Sequence, residues 1–284
     1  MSSSNGTTES TPFGREARAR DGKRVINFSK DGHVGIVEID DPPANTYTHE
    51  MMRQLDEAIL DARFDEDVEV ILITGKGEKF FSAGANIAML NAVTPEFKYM
   101  FCLLANETLS RLEQTPKLVI AALNGHCVGG GLEIAMAADI RIARKDAGKI
   151  GLPEVALGVL PGTGGTQRLA RLVGKTRAIE LMVTGKTFSF EQAMDWGIVS
   201  DIFEGDGAAF RDQVLTYAKQ FCTPHKAPMA VGHIKRAVQT GAELPLNDAL
   251  AIERELQSLL FKSADAKEGI AAYNEKRTAK FTGK

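Results

Sequence analysis

Two glutamates stand where glutamate is out of place. From Cys127 to Ala138 every residue is apolar or glycine except Glu133, and from Ile150 to Pro161 every residue is apolar, glycine or proline except Glu154. Glutamate is almost never fully buried without a partner. A carboxyl taken out of water has its pKa raised, because only the charged form loses hydration. Moved toward neutrality, it can both give and take a proton, so the pair is suited to general acid/base chemistry. The rival reading is structural: each Glu faces solvent from an edge, or is held in an ion pair by Arg141 or Arg168.

The glycines beside them suggest a second kind of chemistry. Gly129, Gly130 and Gly131 directly precede the apolar helix expected to hold Glu133, and unpaired N–H groups at a helix start lie open to a ligand when no side chain covers them. The segment FFSAGAN, ending at Asn86, offers the same features after another apolar run. Either loop alone reads as a tight turn. Two of them, each following a buried strand, can converge as the halves of an oxyanion hole.

Other chemistries lack their parts. The chain contains no GxxxxGK[ST], HExxH or GxSxG, and GTGGTQ at 162–167 fails the GxGxxG spacing. Cys102, Cys127 and Cys222 are scattered and form no CxxC pair, which argues against a disulfide framework or a zinc site and for a reducing compartment. Paired carboxylates also serve glycosidases, but one tryptophan and 7% aromatic residues offer few platforms for a sugar. His126 and Trp196 stand singly beside apolar segments, as packing residues do.

The elements that must position these residues follow from periodicity. Apolar or β-branched runs at 34–39, 68–73, 118–123 and 138–143 read as strands. Met52, Leu55, Ile59 and Ala62 recur at helical spacing, and a second helix is expected over 96–114. Strands and helices therefore interleave, the α/β pattern. After Thr166 the character turns helical: TQRLARLVG, TRAIELMVTG and FEQAMDWG each close on glycine. Amphipathic stretches then follow near 207–221, 226–240 and 246–261, with a last helix rich in Lys and Glu.

The 284 residues are ordinary globular material, 44% hydrophobic and 25% charged, with a formal net charge of -3. That charge disfavours a nucleic-acid or anionic-membrane partner. Apolar stretches are broken before bilayer length, so no membrane segment and no secretion signal are expected. Residues 1–24 are rich in Ser, Thr and Gly and read as a disordered tail. A mitochondrial transit peptide is the alternative, disfavoured by Glu9, Glu16 and Asp21.

The strings FFSAGANIAML, ALNGHCVGGGLEIAMAADIRIA, IGLPEVALGVLPGTGGTQRLARLVG, TGKTFSFEQAMDWGIV and DAKEGIAAYNEKR resemble the enoyl-CoA hydratase/isomerase (crotonase) superfamily, in order and register from Val25 to Phe281. The resemblance implies an α/β, crotonase-like spiral of ββα units over 25–205 and a C-terminal helical trimerisation region over 206–284. The implied assembly is a homotrimer or a dimer of trimers. It implies Ala85 and Gly130 as the two oxyanion amides and Glu133 and Glu154 as the hydratase acids. Substrate contacts are implied at Ala44, Ala83, Asn86, Ile87, Ala88, Gly129, Pro153 and Gly162, with Lys276, Lys280 and Phe281 reaching the adenine end. No metal is implied, and no cofactor apart from the coenzyme A that is part of the acyl-CoA substrate. The compartment expected is the cytoplasm.

Having both acids tilts the expectation to an enoyl-CoA hydratase. The alternatives are an isomerase, or a dehydratase or decarboxylase on a branched acyl-CoA or acyl-carrier substrate. An RNA-binding relative would need a basic helix, whereas Arg53 stands beside Asp56, Glu57 and Asp61. Two departures from the family pattern stand out. Asn86 replaces the usual aspartate of GAD, keeping a capping role but no charge. Thr46 and Tyr47 replace Ala and Leu in the segment PANTY, which lies near the acyl entrance in the family.

Overall fold

In the computed structural model, which describes residues 23–284, the strands sort into two sheets. Strands β1 (Ile26–Asp31) and β2 (Val34–Ile39) pair antiparallel, and helix α1 (His49–Phe64) follows. A unit then repeats three times: a strand of a large sheet, a short strand of a small sheet, then helix. The first unit is β3 (Val70–Gly75), β4 (Phe80–Ser82), α2 (Ile87–Ala92) and α3 (Pro95–Gln114). The second is β5 (Leu118–Leu123), β6 (His126–Val128) and α4 (Gly130–Met136). The third is β7 (Ile140–Arg144), β8 (Ile150–Gly151), a 3-10 turn at Glu154–Leu157, and helices α5 (Gly165–Val173), α6 (Lys175–Thr184) and α7 (Phe190–Asp195). Strand β9 (Asp201–Phe203) completes the large sheet, whose order is β1-β2-β3-β5-β7-β9; the small sheet is β4-β6-β8. The ββα spiral is thus present, and every strand pair after the first is parallel.

The central strands β3 and β5 of the large sheet are buried on both faces, which is why they read as near-continuous apolar runs. Ile39, Ile71, Ile73, Val119, Ala121, Leu123 and Ala143 face a core closed by Met51, Leu55 and Ile59 of α1 and Leu109 and Leu112 of α3. Val34, Ile36, Val70, Leu72, Ile120, Ala122 and Ile142 face the other way, under Phe210, Val214 and Ala218. Those three lie on α8 (Gly207–Lys219), which returns over the sheet. Helices α9 (Pro228–Gly241), α10 (Leu246–Leu260) and α11 (Ala264–Asn274) end the chain. Lys235 anchors α9: it is 7% exposed, lies 2.9 Å from Asp139 and donates to the carbonyls of Leu112 and Lys117.

Two buried asparagines fasten the first unit. Asn124 accepts from Gly75 N and donates to the carbonyls of Gly77 and Phe80, while Asn45 donates to the carbonyls of Lys76 and Phe80. The chain leaving β3 is therefore tied from both sides before it enters β4.

Some expectations need adjustment. Strands β4, β6 and β8 are three, three and two residues long, too short for an apolar period to register, and FFSAGAN is consequently half strand, half loop. The glycine run does not simply precede its helix: Gly129 is the N-cap of α4, and Gly130 and Gly131 already form its first turn. Of the tail expected at 1–24, residues 1–22 lie outside the described residues, while Lys23 and Arg24 make hydrogen bonds to Asp41 and Ile26. No helix among the described residues is long and apolar enough to cross a membrane.

Candidate active site

The small sheet brings the two glycine-containing loops together. Strand β4 delivers the loop at 83–86, and the parallel strand β6, paired with it through Ser82 and Cys127, delivers Gly129. How closely they approach is shown by what a side chain would meet. A Cβ on Gly84 would stand 2.8 Å from the Val128 carbonyl and 3.4 Å from Gly129 Cα, and one on Gly129 would stand 2.9 Å from Glu154 Oε1. With φ at +85° and +56° respectively, both positions also demand glycine conformationally. The 3-10 turn that starts at Glu154 follows β8, the third strand of the same sheet, so three successive units each contribute one piece to one place.

The amides of the two loops are presented differently. Tyr47 straps the first: its N–H donates to Gly84 O at 2.8 Å and its carbonyl accepts from Asn86 N at 3.2 Å, bracketing Ala85. Ala83 N donates to Ala44 O at 3.0 Å, and Asn86 Oδ1 caps α2 by accepting from Met89 N at 2.9 Å. The N–H of Ala85 between them finds no acceptor among the described residues, and neither does that of Gly130 in the first turn of α4. Gly130 also stands at the positive end of the helix.

Glu133 is one turn further into α4 and 3% exposed. Its Oε1 accepts from the amides of Thr163 and Gly165, both at 2.8 Å, and its Oε2 accepts a short hydrogen bond from Thr163 Oγ1. The loop that supplies these donors is itself clamped. Arg168 donates to Thr163 O and holds Glu113 of α3 through two bonds at 2.8 and 2.7 Å. The ion-pair reading of the glutamates fails here. Arg168 pairs with Glu113, and Arg141 is spent on the carbonyls of Ala138 and Ile198.

Glu154 has the opposite surroundings. Its Oε2 is buried and has no hydrogen-bond partner among the described residues. Burial above all, and then the negative charge of Glu133, push its pKa up to about 7; a bond to its own backbone and the Lys98 ammonium oppose the rise. One carboxyl is thus saturated with donors while the other is poised to hold or release a proton near neutrality. Beside two open amides, such a pair can stabilise a developing oxyanion and move protons on the neighbouring carbons.

Of the expected site residues, Glu133, Glu154, Ala85, Gly129 and Gly130 fall together, with Pro153 next to Glu154 and Gly162 next to Thr163. Ala44, Ala83 and Asn86 build the first loop, and Ile87 and Ala88 open α2 on the exposed side. The tail residues do not join them within the chain. Lys280 N binds Glu268, Phe281 N binds Pro224 O with its ring over Gly269, and Lys276 N binds Tyr273 O. Thr163, Tyr47 and Lys98 were missed. Thr163 lies in GTGGTQ, where only the neighbouring Gly162 was expected at the site. His126 and Trp196 pack against Phe80 and Phe188, as their isolation suggested.

Comparison with known proteins follows the same lines. The model of the enoyl-CoA hydratase/isomerase family matches residues 29–284. The short-chain-enoyl-CoA hydratase of Clostridium acetobutylicum is 38% identical over 255 residues, covering 89% of this chain and 95% of that protein. The crotonyl-CoA hydratase of Syntrophomonas wolfei is 35% identical over 260 residues, covering 91% and 98%. The crystal structure of an enoyl-CoA hydratase from Geobacillus kaustophilus superposes with a TM-score of 0.88 at 44% identity, covering 93% of this chain and 98% of that one.

The buried Glu154 makes stability depend on pH in a definite sense. The fold raises its pKa, so folding favours the protonated form. The stability this contributes is complete below the ordinary glutamate pKa of 4.5 and is lost as pH rises to about 7. Glu154→Gln, which cannot ionise, should leave the melting temperature nearly unchanged at pH 4.5 and raise it relative to the parent at pH 8. Thermal unfolding at both values checks this; a variant less stable than the parent at pH 8 would contradict it.

Proposed function

The chain belongs to the enoyl-CoA hydratase/isomerase family, and from that membership we propose that it adds water reversibly to a trans-2-enoyl-CoA, giving a 3-hydroxyacyl-CoA. The observation that carries this reading is the presence of two unlike carboxyls, Glu133 and Glu154, where two open amides meet. A double-bond isomerase needs a single acid to take and return one proton. Addition of water needs one group to accept a proton from the water and another to give one to carbon.

In the proposed mechanism the thioester carbonyl accepts hydrogen bonds from Ala85 N and Gly130 N. Electron density drawn onto that oxygen leaves Cβ open to attack, and the enolate-like charge is met by fixed dipoles; one such donor is typically worth roughly 2.7–4 kcal/mol. Glu133, fixed by its donors, takes the proton of the attacking water. Glu154, which carries a proton in a substantial fraction of molecules near pH 7, gives it to Cα. The oxygen of water is then bonded to Cβ, its proton is on Glu133, and exchange through the new hydroxyl or solvent resets the pair. Coenzyme A is part of the substrate, and no further cofactor is needed.

The alanines and glycines of the loops, with Pro153 and Gly162, would let the pantetheine and acyl chain approach the backbone closely. Relatives named for crotonyl-CoA and short-chain substrates make crotonyl-CoA the first substrate to assay. A trimer or a dimer of trimers is the proposed assembly, because α9 and α10 expose Ile234, Val238, Leu246 and Leu259, a patch suited to burial against another copy. In that assembly Lys276, Lys280 and Phe281 are proposed to meet the adenine end of the substrate. The free cysteines Cys102, Cys127 and Cys222 suit a reducing, cytoplasmic setting.

Light scattering at micromolar protein should give the mass of three or six chains, and a stable monomer would rule the assembly out. With crotonyl-CoA, Glu133→Gln and Glu154→Gln should each lower turnover by roughly 10²–10⁴. The double variant should lose much less than the product of the two, because the groups act on one water. Retention of near-full hydration by Glu133→Gln would overturn the two-carboxyl mechanism and favour the isomerase.

A further inference from the structure

The segment after α11 forms neither helix nor strand, yet four consecutive amides in it each donate to a fixed acceptor. Lys280 N donates to Glu268 Oε1 at 2.9 Å, Phe281 N to Pro224 O at 3.1 Å, Thr282 N to Asp265 Oδ1 at 2.7 Å and Gly283 N to Asp265 Oδ2 at 2.9 Å. Asp265 N in turn donates to Lys284 O at 2.9 Å. The acceptor at Pro224 is tied to the body of the molecule, because Thr223 donates through N and Oγ1 to Glu69, next to β3, at 2.6 and 2.8 Å. The ring of Phe281 lies over Gly269, where a Cβ would meet it at 3.3 Å.

Two carboxylates on α11 do most of this holding. Asp265, in the first turn, is 3% exposed, and every donor it finds among the described residues comes from Thr282 and Gly283. A carboxylate out of water needs such donors, so its burial and the path of the segment are one condition. Glu268 lies one turn on. Arg277, donating to both its oxygens at 2.6 and 2.9 Å, and then the Lys280 amide hold its pKa down to about 2, so it stays an acceptor at any working pH. Because Arg277 already meets the charge of Glu268, the Lys280 ammonium is left without an ion pair among the described residues. Ordering an extended segment costs conformational entropy. Here the result is an exposed cation and an aromatic ring carried on a fixed backbone, and a ligand that meets them has less ordering left to do.

We propose that Asp265 and Glu268 are positioning residues for acyl-CoA binding: by fixing the amides of 280–283 before the substrate arrives, they hold the Lys280 ammonium and the Phe281 ring ready for the phosphates and the adenine. The two acids themselves touch no part of the substrate. Their hold on the segment is a matter of geometry, and its service to acyl-CoA rests on the substrate and assembly reading given above.

The test compares two thioesters in two variants of the full chain. Asp265→Asn keeps the volume and removes one of the two acceptors. Glu268→Ala removes the other carboxylate at a partly exposed position where alanine suits the helix, and carries the comparison by itself if Asp265→Asn does not fold. Hydrogen exchange read by mass spectrometry should quicken at amides 280–283 in both. The KM for crotonyl-CoA should rise roughly threefold to tenfold with kcat little changed, and the Kd of butyryl-CoA should rise with it, since side chains once fixed in advance must now be ordered on binding. Crotonyl-pantetheine, which has the reacting thioester but no nucleotide, should show the same kcat/KM in variants and parent. In a Lys280→Ala/Phe281→Ala background neither substitution should add to the loss. Exchange that stays slow in both variants would overturn the proposal, as would quickened exchange with unchanged butyryl-CoA binding. An equal loss with both thioesters would overturn it too, by reducing the acids to general stability. A parent that binds butyryl-CoA and weakens as expected in the variants, yet hydrates neither thioester, would uphold the positioning and refute the hydratase reading.

Discussion

A carboxylate removed from water must be supplied with hydrogen bonds or surrender its charge, and Glu133 is supplied with three. Meeting that demand organises much of the molecule around it. The donors come from Thr163 and Gly165, so the segment at 161–165 must turn back onto α4. A Cβ on Gly165 would stand 2.9 Å from Glu133 Oε1, so only glycine allows the approach. The turn is held by Arg168, and Arg168 is held by Glu113 on α3. Helix α4 starts in turn at Gly129, whose N–H is fixed by Gly151 of the neighbouring strand. The same helix start that leaves Gly130 N open therefore fixes where Glu133 is.

Glu154 shows what happens when the demand is not met. It has no donor on Oε2, and its pKa is pushed up to about 7. Two identical side chains acquire different chemistry because one is saturated with donors and the other is starved of them, with the charge of the first adding to the strain on the second. Lys98, which also lies over the ring of Phe101, moderates the effect. The contrast lies wholly in the environment, since residue type and neighbouring sequence are nearly the same.

That explains which parts were legible in the chain. Glu133 and Glu154 were conspicuous because a charge in an apolar run breaks a pattern, and the central strands of the large sheet were conspicuous because burial on both faces keeps them apolar, whereas the edge strands β1 and β9, half-exposed and polar, left no such run. The spiral came from family resemblance, as the small sheet is built from strands too short to leave a period. Thr163 was invisible for a different reason. A threonine between glycines carries no sign of the carboxylate it will bind thirty residues away in sequence. Tyr47 was visible only as a departure from the family pattern in PANTY, and its close approach to Gly130 depends on the fold. The role of Asn86 was read correctly from its type: it caps α2.

The central claim is that water adds across the double bond between two carboxyls, and the fate of the solvent atoms tests it most directly. Crotonyl-CoA incubated briefly with the protein in deuterated, oxygen-18-enriched water should yield 3-hydroxybutyryl-CoA. The heavy oxygen should be on C3, one deuterium on C2, and none on C4. Deuterium entering C4 without heavy oxygen in the product would contradict the account and assign the site to double-bond migration.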